Sequence, residues 1–235
     1  MGTLVEKIAK ERGHEISCVI DAGDSALYLS PEFRESDVAI QFVVPEAAVE
    51  SILNCFYARV PVVTGTTGWY DALPQVRQMC EKTDGSLLYA SNFSIGMNIF
   101  MEINRRLSRI MNRVDSYRPR LSEVHHIHKL DHPSGTAITL AQDLIKECER
   151  ITCWEETGEE MFFDAGTLPV YHERKGEVPG IHTVAWESDC DTLSITHSAK
   201  NRNGFALGAV CAAEWLAGKK GFFTMSDFLQ DVTAF

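Results

Sequence analysis

The chain has 235 residues, 45% of them hydrophobic, with a formal net charge of −11, a balance that gives an ordinary globular protein with core enough for one or two domains. Its 22 Lys and Arg are spread along the sequence, which argues against a nucleic-acid partner and means that any anionic ligand must find a local positive pocket. No apolar run approaches the ~18 residues of a membrane span and no signal-peptide pattern opens the chain; the seven cysteines are odd in number and never form a Cys-x-x-Cys pair, so they read as free, mostly buried thiols of a cytoplasmic protein.

In chain order, Leu4, Val5, Ile8 and Ala9 fall on one helical stripe, and "HEISCVID" (14–21) then reads as a buried strand. "SDVAIQFVVP" (36–45) is a second strand, "PEAAVESILNCFYAR" (45–59) a helix entered at its proline, and "VPVVTGTTG" (60–68) a strand running into a Gly/Thr turn. "WYDALPQVRQMCEKT" is a helix with Pro74 near its start, and "SLLYASNFS" (86–94) a further strand. From residue 95 one long amphipathic helix leads into strands at 120–129, 168–176, 181–188 and 191–200, interrupted by a helix at "SGTAITLAQDLIKECER"; the C-terminal stretch from "NGFALGAV" returns to helical spacing. The segment 149–163 is acidic and weakly patterned and reads as a surface excursion.

Alternation of helices and strands calls for an α/β fold with a parallel sheet. The expected organisation is a Rossmann-like dinucleotide-binding domain from 1–94 and 205–235, and an α/β substrate domain with a mixed, open sheet from 95–204. In a dinucleotide-binding βαβ unit a strand leads into two glycines, a third opens the helix, and an acid about 20 residues on binds the ribose. Gly2 stands where the third glycine would be and Asp21 where the acid would be, which makes both candidates for cofactor binding. The strand and the two earlier glycines are missing, so the recorded start is expected to lie inside the coding sequence. No Arg follows Asp21 to accept a 2′-phosphate, which favours NADH over NADPH.

The segment "EVHHIHKLDHPSGTA" (123–137) concentrates titratable groups. On a strand, His126 and His128 would share one face and His125 and Ile127 the other. A His-x-His pair can ligate zinc, but no third ligand with metal spacing is near, and no metal is assigned; polar residues satisfied within a sheet are the other simple reading. Neither explains the lysine and turn that follow. Ser-Gly-Thr at a helix N-terminus offers free amides to an anion, Lys129 adds full charge, and a histidine beside them suits proton donation near neutral pH.

That segment, with "VVTGTTGW" (62–69), "ASNFSIGMN" (90–98), "ERKGEVPGIHTV" (173–184) and "HSAKNRNGFALGAV" (197–210), resembles the dihydrodipicolinate reductases of lysine and diaminopimelate biosynthesis, in the family's order over nearly the whole chain. The resemblance implies reduction of 4-hydroxy-tetrahydrodipicolinate, with loss of water, by NADH or NADPH. It makes His125 the general acid and Lys129 a carboxylate-binding catalytic partner, with His126, Ser134, Gly135 and Thr136 holding the cyclic dicarboxylate. Gly65, Thr66 and Thr67, with Ala90, Ser91, Asn92 and Phe93, would line the nicotinamide, and Arg202 would lie near the cofactor at a domain junction. The resemblance also implies hinge closure over the ligands and a homotetramer. Ile127, where many members are basic, and His132, where a small residue is usual, depart from the pattern. Two rival readings are a nicotinamide-dependent reductase of another small acid, and a catalytically silent or truncated subunit of the same fold.

Overall fold

The computed structural model describes residues 1–158 and 164–233, and the chain divides into two compact units, Met1–Asn98 with Asn203–Phe235, and Ile99–Arg202. The first unit is built on a four-stranded, all-parallel sheet of order β1-β2-β3-β9: β1 (Ala39–Gln41), β2 (Val62–Thr64), β3 (Ser86–Tyr89) and β9 (Gly221–Thr224). Its helices are α1 (Gly2–Glu11), the single turn α2 (Pro31–Arg34), α3 (Pro45–Ala58) and α4 (Leu73–Thr83), and, from the C-terminal part, α7 (Asn203–Leu216) and α8 (Met225–Thr233).

Sequence logic explains most of these elements. Proline at the first turn of α3 needs no amide partner there, and the helix buries Ala48, Ile52, Cys55 and Phe56 against Val62, Trp69, Val76 and Leu87. The α1 stripe packs Val5, Ile8 and Ala9 on Ala206 and Val210 of α7. Arg12 seals that pair, its Nε and Nη2 each 2.7 Å from a Glu214 oxygen, with His14 Nε2 also 2.7 Å from Oε1. Small residues let α7 lie close to the sheet: a Cβ at Gly208 would stand 1.7 Å from the Phe93 carbonyl oxygen.

Three expectations are corrected in this unit. "HEISCVID" forms no strand: Ile16, Cys18 and Ile20 turn inward while Val19 is 60% exposed, so the alternation is present without a hydrogen-bonded neighbour to complete a ladder. The strand expected over 36–45 shortens to β1. The C-terminal stretch is not wholly helical, because Gly221–Thr224 pairs in parallel with Ser86–Tyr89 as β9; a four-residue apolar run carries too little periodicity to be distinguished from helix.

Helix α5 (Ile95–Met111) carries the chain into the second unit, whose five-stranded mixed sheet has the order β5-β6-β4-β7-β8. Its strands are β4 (Arg118–His125), β5 (Cys153–Thr157), β6 (Thr167–Arg174), β7 (Ile181–Glu187) and β8 (Thr192–Ser198). Helix α6 (Gly135–Glu147) packs on β4 and β6 with Ala137, Leu140, Ala141 and Leu144 fully buried. Asn104 of α5 donates to the Leu140 carbonyl at 3.1 Å, and Arg105–Asp143 and Arg109–Glu147 pairs run alongside. Part of the expected surface excursion is strand β5 at the sheet edge; residues 159–163 of that excursion lie outside the described residues. All seven cysteines are free, but only Cys55, Cys80 and Cys148 are buried, and Cys153 and Cys190 are exposed.

Candidate active site

Strand β4 buries alternate residues, Pro119, Leu121, Glu123 and His125, as a period of two requires. Antiparallel pairing sets His182 of β7 opposite Glu123, and parallel pairing sets Arg174 of β6 opposite His125. The result is a buried polar constellation. Glu123, with no exposure, lies 3.5 Å from His125 Nδ1 and from His182 Nε2, and Arg174 Nη2 donates to its Oε1 at 3.1 Å. Gly180, at φ +152, leaves open the space beside His125 Nε2, which a Cβ there would enter at 3.1 Å.

The expected strand over 120–129 ends at His125. Residues 126–129 make a tight turn, with the Lys129 amide donating to the His126 carbonyl at 3.1 Å, so strand alternation does not govern His126 and His128. His128 is exposed and pairs with Glu177 at 3.0 Å, while His126 is half-buried. Lys129 Nζ lies 2.7 Å from both Asp131 oxygens. Arg174 fastens this loop from below, donating to the Lys129 carbonyl at 3.2 Å and the Asp131 carbonyl at 2.6 Å. His132, the departure from the family pattern, bonds Glu156 at 2.5 Å and stacks on His172.

Ser134 caps α6. Its Oγ accepts from the Ala137 amide at 3.2 Å and meets His182 Nε2 at 3.1 Å, while its own amide donates to both Glu123 oxygens at 3.1 Å. The Ile138 amide takes the Ser134 carbonyl at 3.0 Å. Among the amides of the first turn this leaves those of Gly135 and Thr136 outside the helical ladder, next to open space at Gly135. Two adjacent amides at a helix N-terminus suit the two oxygens of one carboxylate.

Electrostatics differ from the sequence expectation for His125. Burial pushes its pKa down to about 4, against the attraction of Glu123 and with the help of His182, Lys129 and Arg174. Without a ligand the imidazole is neutral at pH 7. Burial works to raise the Glu123 pKa, but hydrogen bonds from His182 and Ser134, with the charge of His125, outweigh it and hold the carboxyl at about 2.

In the first unit, Gly65–Thr67 and Ala90–Phe93 follow the carboxyl ends of β2 and β3, the edge at which open α/β sheets take ligands. The Thr66 side chain is committed to the Val43 amide and carbonyl, at 3.0 and 3.1 Å, and the Asn92 side chain accepts from the Ser94 amide at 2.9 Å, just ahead of α5, which Ser94 Oγ caps by accepting from the Met97 amide at 3.3 Å. Phe93 is buried, whereas Thr67 and Ser91 are exposed and Gly65 and Ala90 half-buried. A Cβ at Gly65 would stand 2.1 Å from the half-buried Phe42 ring, which would have to move to admit it. Gly2 opens α1 with no side-chain cap, and the amides of Leu4 and Val5 bond the Met1 carbonyl; Asp21 and Asp24, farther along the chain, are exposed. Arg202 is exposed and precedes α7.

The residues that sequence reasoning passed over are Glu123, Arg174 and His182. A signal existed: Glu123 is two residues from His125 and therefore on its face, and a charged residue in the inward phase of a strand asks for partners. Those partners sit in the quoted segments "ERKGEVPGIHTV", but only the sheet register reveals which face them.

Residues 1–93 match the family model described as dihydrodipicolinate reductase, N-terminus, and residues 96–229 that described as dihydrodipicolinate reductase, C-terminus. A 4-hydroxy-tetrahydrodipicolinate reductase of Christiangramia forsetii is 45% identical over 99% of this chain and 95% of its own. One from Neisseria gonorrhoeae is 35% identical over 83% of this chain and 73% of its own. Among solved structures, a dipicolinate-bound dihydrodipicolinate reductase from Paenisporosarcina sp. TG-14 shares the fold, with a TM-score of 0.69 at 20% identity over 92% of this chain and 82% of that one.

Proposed function

Because the chain belongs to the dihydrodipicolinate reductase family, we propose that it reduces 4-hydroxy-tetrahydrodipicolinate to tetrahydrodipicolinate with loss of water, in lysine and diaminopimelate biosynthesis. The observation that carries this reading is the convergence, in one unit, of a buried histidine with the Ser134 cap and the two free amides of Gly135 and Thr136. Hydride and proton enter the substrate and water leaves. A reduced nicotinamide dinucleotide supplies the hydride when bound. The residues present fit it: the uncapped amides of Gly2 and Thr3 suit its pyrophosphate, and Gly65–Thr67 with Ala90–Phe93 suit its nicotinamide end.

In this reading Gly135 and Thr136 hold one substrate carboxylate and Lys129 the other, exchanging Asp131 for it, with His126 as a further contact. Two incoming negative charges favour the imidazolium, so His125 takes up a proton as substrate arrives and delivers it from Nε2, the nitrogen beside Gly180. Burial around His125 also excludes water that would screen these charges. The carboxylates of Asp21 and Asp24 favour ribose hydroxyls over a 2′-phosphate, which supports NADH as the preferred reductant. Arg202 is assigned to the cofactor by family likeness alone. The same likeness supports a homotetramer and a cytoplasmic enzyme; among the described residues no helix is long and apolar enough to cross a membrane.

The test is loss of NADH or NADPH absorbance by the purified chain when 4-hydroxy-tetrahydrodipicolinate is added. Turnover faster with NADH is expected. No turnover with either reductant refutes the reading, and equal or greater turnover of other keto or imino acids favours the rival substrate class.

A further inference from the structure

Among the described residues Glu123 is the fully buried carboxylate, set between His125 and the Ser134 cap in the second unit, and its position is costly for a merely structural residue. A buried charge forfeits its hydration unless partners replace it, and the inward positions of β4 before it are filled by Pro119 and Leu121 without that cost. Two groups hydrogen-bond to Glu123 and two imidazoles stand close to it. Arg174 from β6 and the Ser134 amide from the head of α6 hydrogen-bond to it at 3.1 Å. His125 from its own strand and His182 from β7 stand at 3.5 Å. Arg174 in turn holds the carbonyls of Lys129 and Asp131, so the loop carrying the lysine is tied to the same carboxylate.

We infer that Glu123 is a positioning residue for the reduction: its carboxylate fixes His125 through the Nδ1 side, leaving Nε2 to deliver the proton, and sets the Ser134 cap so that only the Gly135 and Thr136 amides face substrate. The inference rests on the reductase reading above. The charged and titratable groups that face His125 are Glu123, His182, Lys129 and Arg174. Of these only Glu123 is negative, so it alone favours the imidazolium before substrate binds. The link to α6 follows from helix chemistry. An N-cap residue whose amide had no acceptor would be a buried unpaired donor, and Glu123 supplies that acceptor from the strand that carries the proton donor.

The experiment compares the wild-type chain with Glu123→Gln and Glu123→Asp by steady-state kinetics across pH, by melting, and by nuclear magnetic resonance titration of the His125 imidazole. Glu123→Gln keeps the shape and removes the charge. It is expected to lower kcat by about ten-fold or more and to move the alkaline limb of kcat, which reports the proton donor in the substrate complex, to lower pH by about one unit or more. The nicotinamide KM should stay within about two-fold, since that ligand is assigned to the other unit. Glu123→Asp keeps the charge and retracts it, so its limb should lie between the two and its turnover should be partly restored. A variant pair with wild-type turnover and an unmoved limb overturns the inference, as does a His125 titration that is the same in all folded forms. Should Glu123→Gln fail to fold, Glu123→Asp alone decides by the same two readouts. If the wild type does not reduce the substrate, the function above fails; the His125 titration then still decides whether Glu123 governs that imidazole.

Discussion

The sharpest steric demand in the first unit lies between α7 and the loop after β3 that holds Phe93, and Gly208→Ala tests it. The added Cβ would stand 1.7 Å from the Phe93 carbonyl oxygen and 2.8 Å from its carbon, whereas an ordinary carbon–oxygen contact needs more than about 3 Å. The obstructing atoms are backbone, held on the far side by the Asn92 and Ser94 bonds that cap α5, so the clash cannot be relieved by a rotamer. Alanine in a helix interior gains about 1 kcal/mol over glycine, and overpacking of this kind costs about 1–3 kcal/mol and occasionally more. With separation short by more than an ångström, the upper end applies, and a net loss of about 2 kcal/mol is expected. For a protein of this size that lowers Tm by about 4–8 °C. Because the backbone that must yield is Phe93, proposed above to line the nicotinamide, the nicotinamide KM should rise while affinity for the proposed cyclic dicarboxylate substrate stays near wild type. Melting by circular dichroism and a paired set of KM and Kd values give the answer. A variant that melts at or above wild type, with an unchanged nicotinamide KM, refutes the claim that α7 is packed to the limit against this loop.

His125→Gln should lower kcat by about 10²–10⁴-fold, the usual worth of a general acid, with nicotinamide affinity nearly unchanged; wild-type turnover removes His125 from the mechanism. Lys129→Ala should raise the dicarboxylate KM strongly, by loss of a charge-assisted contact, and a KM within two-fold of wild type would show that Asp131 is the lysine's permanent partner. Ser134→Ala removes an N-cap worth about 0.5–2 kcal/mol and should be seen in urea unfolding as well as in KM. Acid should weaken the fold through two groups. The folded pKa of His125 is about 4 against 6.5, so the unfolded chain binds more protons in that window and stability falls as pH drops through it, by roughly 3 kcal/mol at 1.36 kcal/mol per unit. Glu123, at about 2 against 4.5, adds to that loss as pH falls below 4.5. Urea midpoints at pH 7, 5, 4 and 3 measure this, and a flat profile between pH 7 and 5 would show that His125 is not desolvated.

The sequence carried the α/β fold and the dihydrodipicolinate reductase likeness because helical stripes, a proline-entered helix and several long motifs are local signals. Strand β9 was lost to brevity, and 14–21 was misread because alternation reports which side chains face inward and not whether a ladder exists. The end of β4 at His125 escaped for a related reason: two further histidines continue the polar texture, and only the backbone turn at 126–129 marks the boundary. Glu123, Arg174 and His182 could be found from sequence only with the strand register in hand, since three distant stretches meet there. The depressed pKa of His125 likewise depends on burial by those same stretches.

The alternation of β4 limits how the chain can change in length. Inserting one residue between Glu123 and His125 would turn the imidazole to the opposite face of the sheet, and inserting two would restore the face but slide it about 6.6 Å along the strand, beyond reach of the carboxylate. Length variation tolerable to this centre is thereby confined to the connection at 112–117, because the loop at 126–133 carries Lys129 and is held by Arg174, which makes insertion scanning across 112–125 a map of the parity the strand imposes.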